Sequence, residues 1–486
     1  MTFSDHGRRS LQFGRLRTGN RARDSLGQLP FTIHDIHAAY AAGRAPEEVV
    51  TEVYRRIGAV DDPGIFLHLR EQDDVHADAG DLGDFDPARK PLWGIPFAIK
   101  DNVNAAGMPT TVACPAFAYT AEDDAFVLKL LRTAGALLIG KTNMDQFATG
   151  LVGVRTPYPV PRNALDPEIV PGGSSSGSAV AVAQGLVCFS LGSDAAGSGR
   201  VPAALNNIVG LKPSSGILSS SGTVPAVRSL DTLSVFALSV EDATAAFRTM
   251  AVYDPLDAFS RNLKVQDRET PAPTIRMGIP SRESREFFDD QYQEVAFDVA
   301  LRDLRDLGVE LVELDFAPFY AIARMLYEGA WLAERYALIE SLLASNPDAI
   351  YPVTRQIISA AASYSAVDVF RDFYKLSELK MTVRPQMQDV DMLCVPSIPT
   401  FYSCADLAAD PIGPNSRLGT YTNFVNLMDM CGIAVPVRPR VDGRPSSVTI
   451  LAGSGEDHWV ASVASVLHRH VCPTLGAMEW ELPRSV

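Results

Sequence analysis

The stretch YPVPRNALDPEIVPGGSSSGSAVAVAQGLVCFSLGSDAAGSGRVPAALNN, Tyr158 to Asn207, packs small residues and hydroxyls more densely than an ordinary helix or strand needs. Within it SSSGSAVAVAQGL reads as a buried Ala/Val helix, and VCFSLGSD as a strand feeding a glycine-rich turn. The hydroxyls therefore fall on connections, where catalytic groups usually sit in α/β folds. Taken singly, GGSSSGS is as well read as a flexible loop, and GSDAAGSGR as the start of a helix.

The same rhythm extends outward. LWGIPFAIKDN (Leu92 to Asn102) and GALLIGKTN (Gly135 to Asn143) are short apolar runs that stop at polar residues, with a helical stretch from about Asp123 to Thr133 between them. That is strand, helix, strand, the pattern of a sheet covered by helices. Upstream, TIHDIHAAYAAGRAPEEVVTEVYRRI predicts a helical pair with Thr32 as N-cap and a break from Gly43 to Pro46. From Asp289 to about Leu376 the chain reads as mainly helical, and strand-like runs return at VDMLCVPS and SSVTILAG. No internal repeat or linker divides it.

Composition narrows the classes. The chain has 486 residues, 47% hydrophobic and 21% charged, as in an ordinary globular protein. A formal net charge of −15 argues against a nucleic-acid surface. No apolar run approaches the roughly 18 to 20 residues that cross a bilayer. Cys114, Cys188, Cys394, Cys404, Cys431 and Cys472 are scattered without a C-x-x-C pair, which suggests buried free thiols in a reducing, cytoplasmic setting. Residues 1–28 carry Arg8, Arg9, Arg15, Arg17, Arg21 and Arg23 among Gly and Ser, and read as a flexible basic arm rather than a transit peptide, since they lack a clear apolar face.

Three features bear on chemistry. No histidine occurs between His76 and His458, so a serine nucleophile in the hydroxyl-rich stretch has no local imidazole base. Lys100 stands alone at the end of an apolar run, where it is either a surface residue or one whose pKa burial pulls down from about 10.4, and a neutral lysine is a competent base; in IPFAIKDN only Asp101 would oppose that shift. Ser198 lies at a strand-to-helix turn among small residues, where several backbone N–H groups can face one oxyanion.

The segments GIPFAIKDN, GGSSSGS and GSDAAGSGR resemble the amidase signature family, in order and spacing, over about Leu92 to Lys212. The resemblance implies an α/β fold built on a large mixed β-sheet covered by helices on both faces. It also implies a Ser-Ser-Lys triad, with Ser198 as nucleophile, Ser174 as bridging serine beside a cis non-proline peptide bond, and Lys100 as terminal base. Gly172 and Gly173 would give that backbone room, and the N–H groups of Ala195, Ala196, Gly197 and Ser198 would form the oxyanion hole. Two positions depart from the common family pattern: Ala196 replaces a glycine, and Gly199 a bulky aliphatic. Neither cofactor nor metal is implied.

AGSGRVPAALNNIVGLKPSSGILSSSGTVPAVRSLDTLSVFAL (Ala196 to Leu238), MLYEGAWLAERYALIE (Met325 to Glu340) and DPIGPNSRLGTYTNFVNLMDMCGIAVP (Asp410 to Pro436) are similar to allophanate hydrolases more than to other amidases. This resemblance implies that Tyr327 and Arg335 bind a small anionic urea-derived substrate, and that Gly150 lets the backbone approach it, the competing reading of Gly150 being a plain loop glycine. On one unbroken helix Tyr327 and Arg335 would lie about 12 Å apart along the axis, so they must lean together or the helix must break near Gly329. The competing reading of Arg335 is an exposed residue paired with Glu328 or Glu334. The expected organisation is an amidase domain over residues 29–486, with a catalytic core at about 92–240 and a helical substrate-pocket region at about 289–376. The separate C-terminal domain of longer allophanate hydrolases is not expected within these residues. A homodimer is compatible with this reading, and neither a nucleic-acid partner nor a membrane is expected. Two alternatives remain: an amidase acting on biuret or on a carboxylated urea derivative, and a component of an amidotransferase.

Overall fold

The computed structural model describes residues 26–263, 275–471, 474–478 and 480–481. Of the basic arm expected over 1–28, only Leu26–Gln28 falls among them, as a single 3-10 turn. The rest lies outside the described residues, as does Cys472.

Eleven strands form one mixed sheet. In chain order they are β1 (Phe66–Leu69), β2 (Pro96–Lys100), β3 (Leu137–Thr142), β4 (Phe189–Asp194), β5 (Val209–Lys212) and β6 (Thr232–Ala237). The others are β7 (Arg276–Pro280), β8 (Glu310–Leu314), β9 (Met392–Pro396), β10 (Met430–Val437) and β11 (Ser446–Gly453). Their spatial order is β1-β3-β2-β4-β6-β5-β10-β11-β9-β7-β8. β2 runs parallel to both β3 and β4, whereas β6 runs antiparallel to β4. All residues of β2 through β6 are buried, so both faces of that part of the sheet are covered.

The helices follow the local signals. Thr32 caps Ile33–Ala41 by accepting the Asp35 N–H at 3.0 Å, and a second helix starts at Pro46. Ser176–Ala183 is buried along its whole length, which its Ala, Gly, Ser and Val side chains make possible against the sheet. One apolar cluster joins Phe97, Phe189 and Val460. A second includes Ala195, Ala196, Trp331 and Tyr421, so the glycine-rich turn after β4 and the later helices share a core. Among the described residues five cysteines are free; Cys404 is exposed, contrary to the expectation of uniform burial, and the other four are buried.

Candidate active site

β2 places Lys100 at its C-terminal end, fully buried, because Phe97, Ala98 and Ile99 before it are themselves core residues. The Lys100 Nζ donates to Ser174 Oγ at 2.7 Å and to Ser193 Oγ at 2.9 Å. Burial pulls its pKa down to about 7, against the opposing fields of Asp231, Asp145 and Asp194 and with the help of the Arg335 cation. The sequence pointed to Asp101 as the competing acid. Its carboxylate instead pairs with Lys141 at 3.2 Å and accepts from Thr111.

Ser174 follows a cis Gly173–Ser174 peptide bond, and Gly172 has a φ of +77°. Glycine at 173 has a steric reason: a Cβ there would lie 2.0 Å from Asp145 Oδ2. That same carboxylate accepts the N–H groups of Gly153 and Arg155, both at 2.9 Å, while the Asp145 N–H donates to the Ser174 carbonyl at 3.0 Å. Asp145 thus ties the 152–155 loop to the serine-bearing turn.

Ser198 is buried in the turn after β4. Asp194, the last residue of that strand, accepts from the Gly199 N–H at 3.0 Å and from Arg200 Nε and Nη2, each at 2.9 Å. Burial alone would raise the Asp194 pKa, but the paired Arg200 guanidinium outweighs it and holds the carboxyl below its ordinary range. Arg200 also donates to the Thr422 carbonyl, which locks the turn to the chain near residue 422. Gly197 has a φ of +139°, and a Cβ on it would meet Thr422 Oγ1 at 2.4 Å. Gly199 is explained by space as well, since a Cβ there would lie 2.6 Å from the Ser234 Cβ. Among the described residues the N–H groups of Ala195, Ala196, Gly197 and Ser198 have no hydrogen-bond partner. No hydrogen bond joins the Ser174 and Ser198 hydroxyls there either; such contacts commonly tighten only with substrate in place.

The helix carrying Tyr327 ends at Glu328, and the next, Trp331–Ser345, carries Arg335. Gly329 makes the break, since a Cβ on it would crowd the Met325 carbonyl at 2.6 Å. The two side chains consequently meet, with the Arg335 guanidinium 5.2 Å from the Tyr327 ring centroid. Arg335 is only 1% exposed, and Glu334 takes the Ser229 N–H instead, so the surface-pair reading does not hold. The Arg335 Nη1 donates to the Ala148 carbonyl and to Thr149 Oγ1. Its Nε and Nη2 and the Tyr327 hydroxyl are buried without partners. Gly150 adjoins Thr149, but its missing side chain already has a structural reason, because a Cβ would lie 2.5 Å from Asp145 Oδ2.

Sequence reasoning missed Ser193, Asp145 and Asp231. Ser193 lies inside the GSDAAGSGR segment, but only the parallel pairing of β2 with β4 shows that it shares Lys100 with Ser174.

A buried lysine bound to serine hydroxyls, beside a turn of free N–H groups, is equipment for acyl transfer without histidine or metal. The comparisons agree with that class: a family model described as Amidase matches residues 48–460. The chain belongs to the amidase family.

Among its relatives, the urea amidolyase of Saccharomyces cerevisiae is 44% identical over 386 residues, which cover 79% of this chain and 21% of that one. The chain thus spans about a fifth of the length of the urea amidolyases it matches. A glutamyl-tRNA(Gln) amidotransferase subunit from Nitratidesulfovibrio vulgaris is 31% identical, with 89% of this chain and 94% of that one covered. The solved allophanate hydrolase of Kluyveromyces lactis superimposes with a TM-score of 0.87 at 38% identity, covering 92% of this chain and 74% of that one.

Proposed function

We propose that the chain hydrolyses allophanate to ammonia and an N-carboxylated carbamate, which then loses carbon dioxide. The observation that carries this reading is the Tyr327–Arg335 pair. Its three free polar groups are buried in the same protein as the Lys100–Ser174 contact, and the Arg335 cation is close enough to lower the Lys100 pKa. A guanidinium with two unfilled N–H positions suits a carboxylate, and allophanate carries one next to its scissile amide. The likeness to an allophanate hydrolase over most of both chains supports the same substrate.

Neutral Lys100 accepts a proton from Ser174 as Ser174 takes one from Ser198, and the Ser198 Oγ attacks the carboxamide carbon. The N–H groups of residues 195–198 receive the oxyanion. As the tetrahedral intermediate collapses, the relay returns the proton to the amide nitrogen, the C–N bond breaks and ammonia departs. Water then enters through the same relay, cleaves the acyl ester and restores the Ser198 hydroxyl. Arg335 and Tyr327 hold the carboxylate throughout, and Gly150 bounds the pocket next to Thr149.

We further assign residues 29–486 to one amidase domain working in the cytoplasm, a reading with which a homodimer is compatible. Among the described residues no helix is long and apolar enough to cross a membrane. A second reading, as a component of an amidotransferase, is favoured by the 94% coverage of the Nitratidesulfovibrio vulgaris relative. That role would need partner chains and glutamine. Ammonia release by the purified chain alone, measured on allophanate, biuret and glutamine, decides the matter. Turnover of allophanate well above the other two is the expected result; release from glutamine only with added partners would overturn it.

A further inference from the structure

Tyr327 and Arg335 account for the carboxylate end of such a substrate, and the triad for its carbonyl. The amide nitrogen is left without a protein partner. Its N–H groups need an acceptor, since a buried donor without one costs about 1–3 kcal/mol.

Asp231 offers such an acceptor. Asp231 lies one residue beyond the Asp194–Thr232 pair that ends the β4–β6 ladder, and so sits beside the turn that carries Ser198. The loop before it is closed on itself: the Ala226 N–H donates to Asp231 Oδ2, and the Asp231 N–H donates to the Val227 carbonyl at 2.8 Å. Asn426 clamps the junction, its Nδ2 donating to the Asp194 carbonyl at 2.7 Å and to the Leu230 carbonyl at 3.0 Å. One carboxylate oxygen is thereby occupied and fixed. The other, Oδ1, is buried and has no partner.

Asp231 is also the acid with the strongest field at Lys100, and it feels the Arg335 cation. Among the described residues it forms an ion pair with neither. A buried carboxylate oxygen without a partner, within the field of both Lys100 and Arg335, is placed to meet a ligand that the two of them bind. It also lines a cleft of about 300 Å³ with Ser220, Thr223, Arg228 and Asp257.

We propose that Asp231 is a specificity-determining residue for the leaving group: its free Oδ1 accepts an N–H of the carboxamide that Ser198 attacks, so the pocket selects amides over esters and acids. This rests on the amidase chemistry proposed above. Burial raises the Asp231 pKa to about 6, so the carboxylate is ionised at the pH where Lys100 is neutral. The charged groups facing Lys100 are Asp231, Asp145, Asp194 and Arg335. Removing the Asp231 charge leaves the other three and lowers the Lys100 pKa further.

The test uses malonamate and monomethyl malonate, which share a carboxylate and differ in whether the leaving group carries N–H. In the full chain, Asp231→Ala is expected to lower kcat/KM for malonamate by about 10- to 100-fold, the range for a hydrogen bond to a charged group, while the ester changes by less than about threefold. The pH midpoint of ester hydrolysis is expected to move to lower pH. Asp231→Asn, nearly isosteric, keeps an acceptor and loses the charge; it is expected to show the same midpoint shift with a smaller amide loss, and it carries the test should the alanine variant not fold. Equal losses on amide and ester, or an unmoved midpoint in the folded asparagine variant, would overturn the assignment. A wild-type chain that hydrolyses malonamate but not allophanate would refute the substrate reading and leave Asp231 testable.

Discussion

Lys100 has Asp231, Asp145 and Asp194 acting on it and still titrates near 7, which means desolvation outweighs the attraction of those carboxylates. A lysine poised there is half neutral at physiological pH and can act as a base. Arg335 shows the opposite arrangement: one nitrogen is held by the Ala148 carbonyl and Thr149, and two are left for a ligand. Arg335→Ala is therefore expected to raise KM for allophanate strongly, on the order of 10- to 100-fold, while slow hydrolysis of a neutral amide changes little. Arg335→Lys should recover only part, because an ammonium keeps the charge but not the paired planar donors. Tyr327→Phe should cost about 1 kcal/mol, or somewhat more if its hydroxyl meets the carboxylate. Equal losses on charged and neutral amides in Arg335→Ala would make the arginine structural.

At the scale of elements, register is what assembles the site. Lys100 and Ser193 are 93 residues apart and meet because β2 and β4 are parallel neighbours. The antiparallel β4–β6 ladder brings Asp194 beside Thr232, and with it Asp231 beside the turn that carries Ser198. Ser174 and Ser198 were legible because small residues and hydroxyls cluster around them in sequence, and Lys100 because it stands alone at the end of an apolar run. Asp231 and Asp145 were not, since acidic residues number 58 and nothing local marks these two. The helix break at Gly329 was legible from the need for Tyr327 and Arg335 to converge. The choice of Asp101 as the acid acting on Lys100 failed because β2 ends at Lys100, and Asp101, in the turn that follows, pairs with Lys141. The departure at Gly199 also has its cause in register, through contact with Ser234. Gly199→Ala is expected to destabilise the fold by about 1–3 kcal/mol in urea or thermal denaturation. Adding Ser234→Gly should recover part of that loss. Purely additive effects of the two changes would mean they are not in contact.

For the whole molecule, the site is a cost in stability. Unfolded Lys100 keeps its proton up to about 10.5, whereas in the fold it gives it up near 7. Between those values the unfolded chain binds more protons, so folding stability rises with pH across that window. Lys100→Met removes the need to deprotonate. It is expected to abolish ammonia release yet stabilise the fold by up to a few kcal/mol at pH 7, reduced by the two hydroxyls it leaves unpaired. That advantage should shrink as pH approaches 10; a constant difference from pH 7 to 10 would show that Lys100 is not buried with a lowered pKa.

The central claim, that neutral Lys100 drives a serine nucleophile against a carboxylated urea, is tested most directly by the pH dependence of kcat/KM for ammonia release from allophanate. The full chain should rise to a plateau with a midpoint near 7, and Lys100→Ala should stay at background throughout. A profile flat from about pH 6 to 9 with chemistry rate-limiting, or release by Lys100→Ala within tenfold of the parent, would contradict it.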